Sequence, residues 1–161
     1  MAAPTPTPRQ DPNGRALGDG YPILITFASD PDIEFWEQSV TPPAFDGGDP
    51  VDATTQHNTT YRTKSPGSLI EVQDVSADVL YDPLVYSSVV AIINRATTVT
   101  VHFPDGSSLC FYGYLRSFKP NAAKEKEKPM ATVTIVVTNM DPSDCSEYGP
   151  VYTAGPGTAQ C

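Results

Sequence analysis

Long apolar runs are missing from this chain. No stretch approaches the roughly 20 consecutive apolar residues that a membrane span requires, so no membrane partner is expected. Basic residues are scarce as well: 10 Lys and Arg stand against 19 Asp and Glu, for a formal charge of −9. A surface of that sign repels phosphate backbones, which argues against stable, nonspecific nucleic-acid binding. It leaves open a surface past which DNA moves without sticking. Histidine is limited to His57 and His102, neither with a cysteine or second histidine at ligand spacing, so no zinc site is expected. Cysteine is limited to three residues in no framework pattern. Cys110 falls in an apolar strand candidate and reads as a core thiol. Cys145 and Cys161 fall in an irregular tail and read as exposed, reduced thiols, with a bridge between those two as the alternative. The opening stretch, MAAPTPTPRQDPNGR, has prolines where a signal peptide needs an apolar run, so no export signal is expected.

Catalytic constellations are missing too. No serine sits in a Gly-x-Ser-x-Gly elbow, and Asp46-Gly47-Gly48-Asp49 lacks the lysine and following helix of a phosphate-cradling loop. Asp30, Asp32, Glu34 and Glu37 form the densest acidic group. They lack the glycine and terminal bidentate glutamate of a calcium loop and read as a solvated strand edge. Asn58-Thr59-Thr60 matches a glycosylation acceptor by chance, given no export signal. The expectation is a protein that is not an enzyme, with no cofactor and no metal.

What the chain does contain is turn chemistry around short β-branched runs. Seventeen prolines and 11 glycines gather at both ends and in one central loop. Strand candidates are 21–27 (YPILITF), 32–40, 68–81, 97–103 (TTVTVHF), 108–118 and 131–138 (ATVTIVVT). In DVSADVLY, Val75, Ala77, Val79 and Tyr81 share one face while Asp74, Ser76 and Asp78 share the other. Asp82 as N-cap and Pro83 as first helical residue start a helix over 83–94, with Leu84, Val85, Val89, Ile92 and Ile93 as its apolar stripe. Pro104-Asp105-Gly106-Ser107 between alternating runs signals a hairpin, and Lys124 to Lys128 alternates in charge like a solvated loop tip.

These elements give a mainly β (α+β) fold: an antiparallel β-sandwich or barrel-like domain with one packed α-helix, a long loop and extended terminal arms. The expected divisions are an N-terminal arm over 1–20, the domain over 21–139 with its loop at 41–67, and a C-terminal arm over 140–161. An unpatterned loop of that length is uncommon in a compact domain, and ordering it costs backbone entropy. Both loop and arms make sense if they order against another copy and cover sheet edges. Arg62, Lys64, Arg116 and Lys119 read as partners for acids on a neighbouring copy.

From residue 46 to 139, 94 of the 161 residues, the pieces fall in a known order. A Gly/Asp loop leads to D-x-T-T at Asp52 to Thr55 and on to Arg62. Y-D-P at Tyr81 to Pro83, F-P-D-G at Phe103 to Gly106 and G-Y-L at Gly113 to Leu115 follow. This layout resembles the tail tube (major tail) proteins of long-tailed bacteriophages. The resemblance implies a virion protein whose subunits form hexameric rings stacked into a tube, the channel for DNA ejection, assembled in the host cytoplasm. It implies as partners other copies of the chain, tape measure, tail terminator and baseplate or tail tip proteins, and DNA in transit without specific binding. It further implies inter-subunit contacts by Phe45, Asp49, Asp52, Tyr61, Arg62 and Lys64 in the long loop. Polar strand faces become candidates for the lumen: Asp74, Ser76 and Asp78; Thr98 and Thr100, with His102; Thr132 and Thr134, with Thr138. From alternation alone these faces are equally well read as solvated. The chain departs from the family in its longer Pro-rich start and its Cys-bearing tail. Two other readings remain: a β-sandwich binding module for carbohydrate or a host surface, using Trp36, Phe111, Tyr112, Tyr114 and Phe118, and a head–tail joining or tail terminator protein forming a single ring.

Overall fold

The computed structural model describes residues 23–31, 33, 35–81 and 83–155. In chain order the elements are β1 (Leu24–Phe27), β2 (Trp36–Thr41), β3 (Phe45–Asp46), β4 (Val51–Asp52), β5 (Lys64–Ser65), β6 (Glu71–Val72) and β7 (Val75–Leu80). A 3-10 turn (Pro83–Val85), α1 (Tyr86–Ile92), β8 (Thr97–His102), β9 (Ser108–Pro120), β10 (Met130–Val137) and β11 (Val151–Thr153) complete them. The fold is mostly β, antiparallel, with one short helix, as the sequence led one to expect. The main sheet runs β1-β8-β9-β10-β7-β2, with β11 added on β9. β9 holds it together: its first half pairs with β8 on one side and β11 on the other, and its second half pairs with β10.

The expected alternation sets the inside of this sheet. Ile25 and Phe27, Val75, Ala77 and Val79, Val99 and Val101, and Val133 and Ile135 all enter one core with Phe111 and Leu115. Side chains from both ends of the strand path meet in that core, so the sheet is rolled on itself. Two irregularities break the period. β2 is bulged at Gln38 and β9 at Arg116, and each shifts the register against its neighbour by one residue.

The helix is shorter than its sequence pattern. Residues 83–85 wind as a 3-10 turn, and Val85 caps the α-helix without a side-chain hydrogen bond. The expected cap, Asp82, lies outside the described residues. A run with Val85, Val89, Val90, Ile92 and Ile93 has low helix propensity because β-branched side chains crowd the preceding turn. The tighter 3-10 winding also turns Leu84 outward, where it is 82% exposed, so it leaves the expected stripe. Val89 and Ile92 do bury in the core. The helix start rests on rings: Tyr81, Tyr86 and Phe118 meet edge to face with centroids 5.2–5.6 Å apart, and Phe35 stacks on Phe118. The chain leaves α1 through Asn94 in the left-handed region, whose N–H donates to the Leu115 carbonyl.

The tail, read from sequence as irregular, is ordered where it is described. Asp141 accepts hydrogen bonds from the Ser143 N–H and hydroxyl and from the Tyr112 hydroxyl. Tyr148 packs edge to face on Tyr112, and β11 then joins β9. Short segments dense in Asp, Ser and Gly hide a strand of three residues, VYT, because three residues show no period. Cys145 is an exposed free thiol, as expected. Cys110 corrects the expectation of a core thiol. It is disulfide-bonded, and it lies on the outward face of β9 beside Thr100, outside the apolar core cluster. Cys161 lies outside the described residues.

Candidate assembly surfaces

The long loop is an arm. β3 pairs with β6 and β4 with β5, so residues 45–72 form an antiparallel ribbon standing out from the barrel. β3, β4 and β5 thus fall inside the long loop expected over 41–67, which runs on as this arm to residue 72. Two-residue ladders separated by Gly and Pro leave no alternating pattern for a sequence reading to find. Gly67 shows how tightly the two sides cross, since a Cβ there would sit 2.7 Å from the Gly47 carbonyl oxygen. At the tip, Asn58 replaces a ladder: its Oδ1 accepts from the Thr55 N–H, and its Nδ2 donates to the Tyr61 carbonyl and to Thr63 Oγ1. The Thr54 hydroxyl and N–H hold the Asp52 carboxyl below its ordinary range.

The expected loop contacts separate into three places. Tyr61, 83% exposed, and Arg62 lie near the tip. Asp52 and Lys64 stand opposite each other across the β4–β5 ladder, and Asp49 is exposed just before it. Phe45 sits at the base with Leu69 and Ile70, where they line a groove of about 360 Å³ with Val72, Glu147 and Pro150. Phe45, Leu69 and Ile70 are 58%, 79% and 68% exposed. The exposure of Leu69 and Ile70 escaped the sequence reading because their apolar character read as the start of a buried strand.

The polar strand faces do come together. Ser76 and Asp78 on β7 pair in register with Thr134 and Thr132 on β10. Thr98 and Thr100 on β8 lie farther along the same outward face, opposite Tyr112 and Cys110 of β9. The register also brings in residues the sequence did not reveal. One row across four strands reads Thr41, Ser76, Thr134, Ser117, and the next reads Ser39, Asp78, Thr132, Lys119. The bulges at Gln38 and Arg116 concealed Ser39, Thr41 and Ser117 by shifting their parity. Asp78 ties its row together by accepting from the Ser39 hydroxyl at 3.1 Å and the Thr132 hydroxyl at 2.9 Å. His102 lies on this face within 3.2 Å of the Thr26 hydroxyl, and burial lowers its pKa. Asp74 sits just before β7 and pairs at 3.9 Å with Arg116. Arg116 was expected to meet an acid of another copy; the bulge that displaces it puts Asp74 of its own chain in reach.

The aromatic residues of the binding-module reading do not form one platform. Phe111 is in the core, Tyr112 is engaged by Asp141 and Tyr148, and Phe118 belongs to the cluster under α1. Of the acidic group 30–37, Asp32 and Glu34 lie outside the described residues. Glu37 corrects the expectation of a solvated edge, because it turns inward and its carboxyl is partly buried. Among the described residues, no three His, Cys, Asp or Glu side chains come together as a metal site.

No family model matches the chain, and no curated protein matches it in sequence. Its fold is nevertheless shared. A chain from the virion of a native gene transfer agent particle is 12% identical, with 86% of this chain and 100% of that one covered at a TM-score of 0.57. A chain from the sheath–tube complex of PVC, an extracellular contractile injection system in its extended state, is 12% identical over 83% and 89%, at 0.55. A chain from the sixfold-symmetrised baseplate of the anti-feeding prophage is 7% identical over 82% and 91%, at 0.55. The fold is one used in phage-like particles and contractile injection machines.

Proposed function

We propose that this chain is a structural subunit, not an enzyme, that joins copies of itself into rings stacked as the tube of a phage-like tail. The observation that carries the reading is the arm. Residues 45–72 extend from the barrel with Phe45, Tyr61, Leu69 and Ile70 exposed. A monomer gains nothing from ordering such a ribbon, and apolar area of this kind marks a contact surface. In the assembled tube, Phe45, Asp49, Asp52, Tyr61, Arg62 and Lys64 contact the neighbouring subunit. The resemblance over residues 46–139 and the shared fold support the tube, and the sixfold symmetry of the baseplate that contains one similar chain supports hexameric rings.

The hydroxyl face supplies the channel. Ser76, Asp78, Thr98, Thr100, Thr132 and Thr134 line it, with Asp74 at its margin. A wall of hydroxyls with few cations gives DNA nothing to grip, and DNA passes through on ejection. Tape measure, terminator and baseplate proteins complete the tail in the virion.

The arm can be removed cleanly for a test, because the Gln73 N–H donates to the Ala44 carbonyl at 2.8 Å and the two ends already meet. The full chain is expected to sediment as large assemblies, and a chain with 45–72 replaced by a two-residue turn as a folded monomer. A shortened chain that assembles like the full one contradicts the role given to the arm. Single rings that never lengthen favour the terminator reading.

A further inference from the structure

The strand path of the main sheet ends on β1 and β2, which come side by side without pairing. A buried strand edge leaves N–H groups that need an acceptor. Ile25, 1% exposed, donates its N–H to Glu37 Oε1 at 2.8 Å. Glu37 stands opposite Val79 of β7, immediately before the Gln38 bulge. The bulge lets the carboxyl take the place of a missing strand partner, so one side chain spans the seam.

The surroundings of this carboxyl are apolar. β1, LITF, has no ionisable side chain, and β2 has none besides Glu37. On β7, Asp78 is on the outward face, held by Ser39 and Thr132. On β8, His102 is also outward, beside Thr26. Burial pushes Glu37 up to about 7; the N–H groups of Ile25 and of Glu37 itself pull the other way, and among the described residues no charged side chain contributes.

We propose that Glu37 is a proton-operated latch on the barrel seam. With the proton on, the neutral carboxyl accepts the Ile25 N–H in a dry seam and β1 stays closed against β2. With the proton off, the charge draws water into the seam, and β1 opens. The device goes beyond the tube reading and does not depend on it.

Hydrogen exchange at the Ile25 amide tests the latch, expressed as a protection factor so that the pH dependence of the chemistry cancels. Between pH 6 and 8 protection is expected to fall about tenfold in the full chain, and Ile25 is expected to stay less protected than a core amide such as that of Val133, since β1 opens without the rest of the barrel. Glu37→Gln retains a carbonyl acceptor without the charge, so its Ile25 protection is expected to stay flat. Flat protection in the full chain, or the same fall in Glu37→Gln, overturns the proposal. If the variant does not fold, the side-chain carboxyl carbon of Glu37 is followed by NMR in the unmodified chain. A midpoint near 7 is expected, and one at the ordinary carboxylate position overturns the latch.

Discussion

Gly113 opens the G-Y-L segment and sits where β9 changes partners, opposite Thr97 of β8 and Val137 of β10. Replacing it with alanine is predicted to be costly. A Cβ there would collide with the Val136 carbonyl oxygen and stand 3.4 Å from the Phe111 ring. The first contact is with backbone, so no rotamer change relieves it. To reach ordinary contact at 3.4 Å, the β9 and β10 backbones must part by about 1 Å, which takes neighbouring ladder bonds beyond hydrogen-bond range. Two such bonds at about 1 kcal/mol each, with loosened packing around Phe111, give a loss of about 3 kcal/mol. For a chain of this size that lowers Tm by about 6–12 °C. Gly149→Ala is the control, since a Cβ there meets nothing within 4 Å; it is expected to stay within about 0.5 kcal/mol. Urea unfolding of both variants reads the difference. A Gly113→Ala protein as stable as the parent would show that the β9 and β10 backbones do not approach this closely.

Glu37 makes stability depend on pH in an unusual direction for a carboxylate. Its folded pKa, about 7, lies above the ordinary value of 4.5, so the folded state binds the proton more tightly. Its full contribution is present below about pH 4.5 and is lost as pH rises through 7, up to about 3 kcal/mol in all before allowing for water entering the seam. Urea unfolding at pH 5 and pH 8 should show this fall in the parent and a smaller one in Glu37→Gln. Asp78→Ala leaves the Ser39 and Thr132 hydroxyls without their shared acceptor and is expected to cost about 1 kcal/mol by the same assay. Tyr61→Ala with Arg62→Glu is expected to leave stability within about 0.5 kcal/mol while cutting assembly in sedimentation velocity; a variant that unfolds instead shows that the tip is part of the fold.

Legibility followed period. Val75–Leu80, Thr97–His102 and Met130–Val137 alternate without a break, and their core faces were readable from sequence. Thr41 and Ser117 belong to the outward row of Ser76 and Thr134, and Ser39 to that of Asp78 and Thr132, yet a bulge before each put them out of phase. The arm ladders and β11 are two or three residues long and have no period to detect. Glu37 was hardest to read, because an acid among Asp30, Asp32 and Glu34 looks solvated until the rolling of the sheet carries β1 over it. Leu84 failed for a local reason, since a 3-10 first turn rotates the helical stripe. The candidate surfaces were therefore half visible: the polar faces and Tyr61, Arg62 and Lys64 from the residues, the groove at Phe45, Leu69 and Ile70 from the fold.

The central claim is that copies of this chain build a tube, and negative-stain electron microscopy of the purified full-length protein tests it most directly. Rings with an open centre are expected, stacking into hollow tubes that lengthen with protein concentration. A field of isolated, compact particles at every concentration and salt would contradict it.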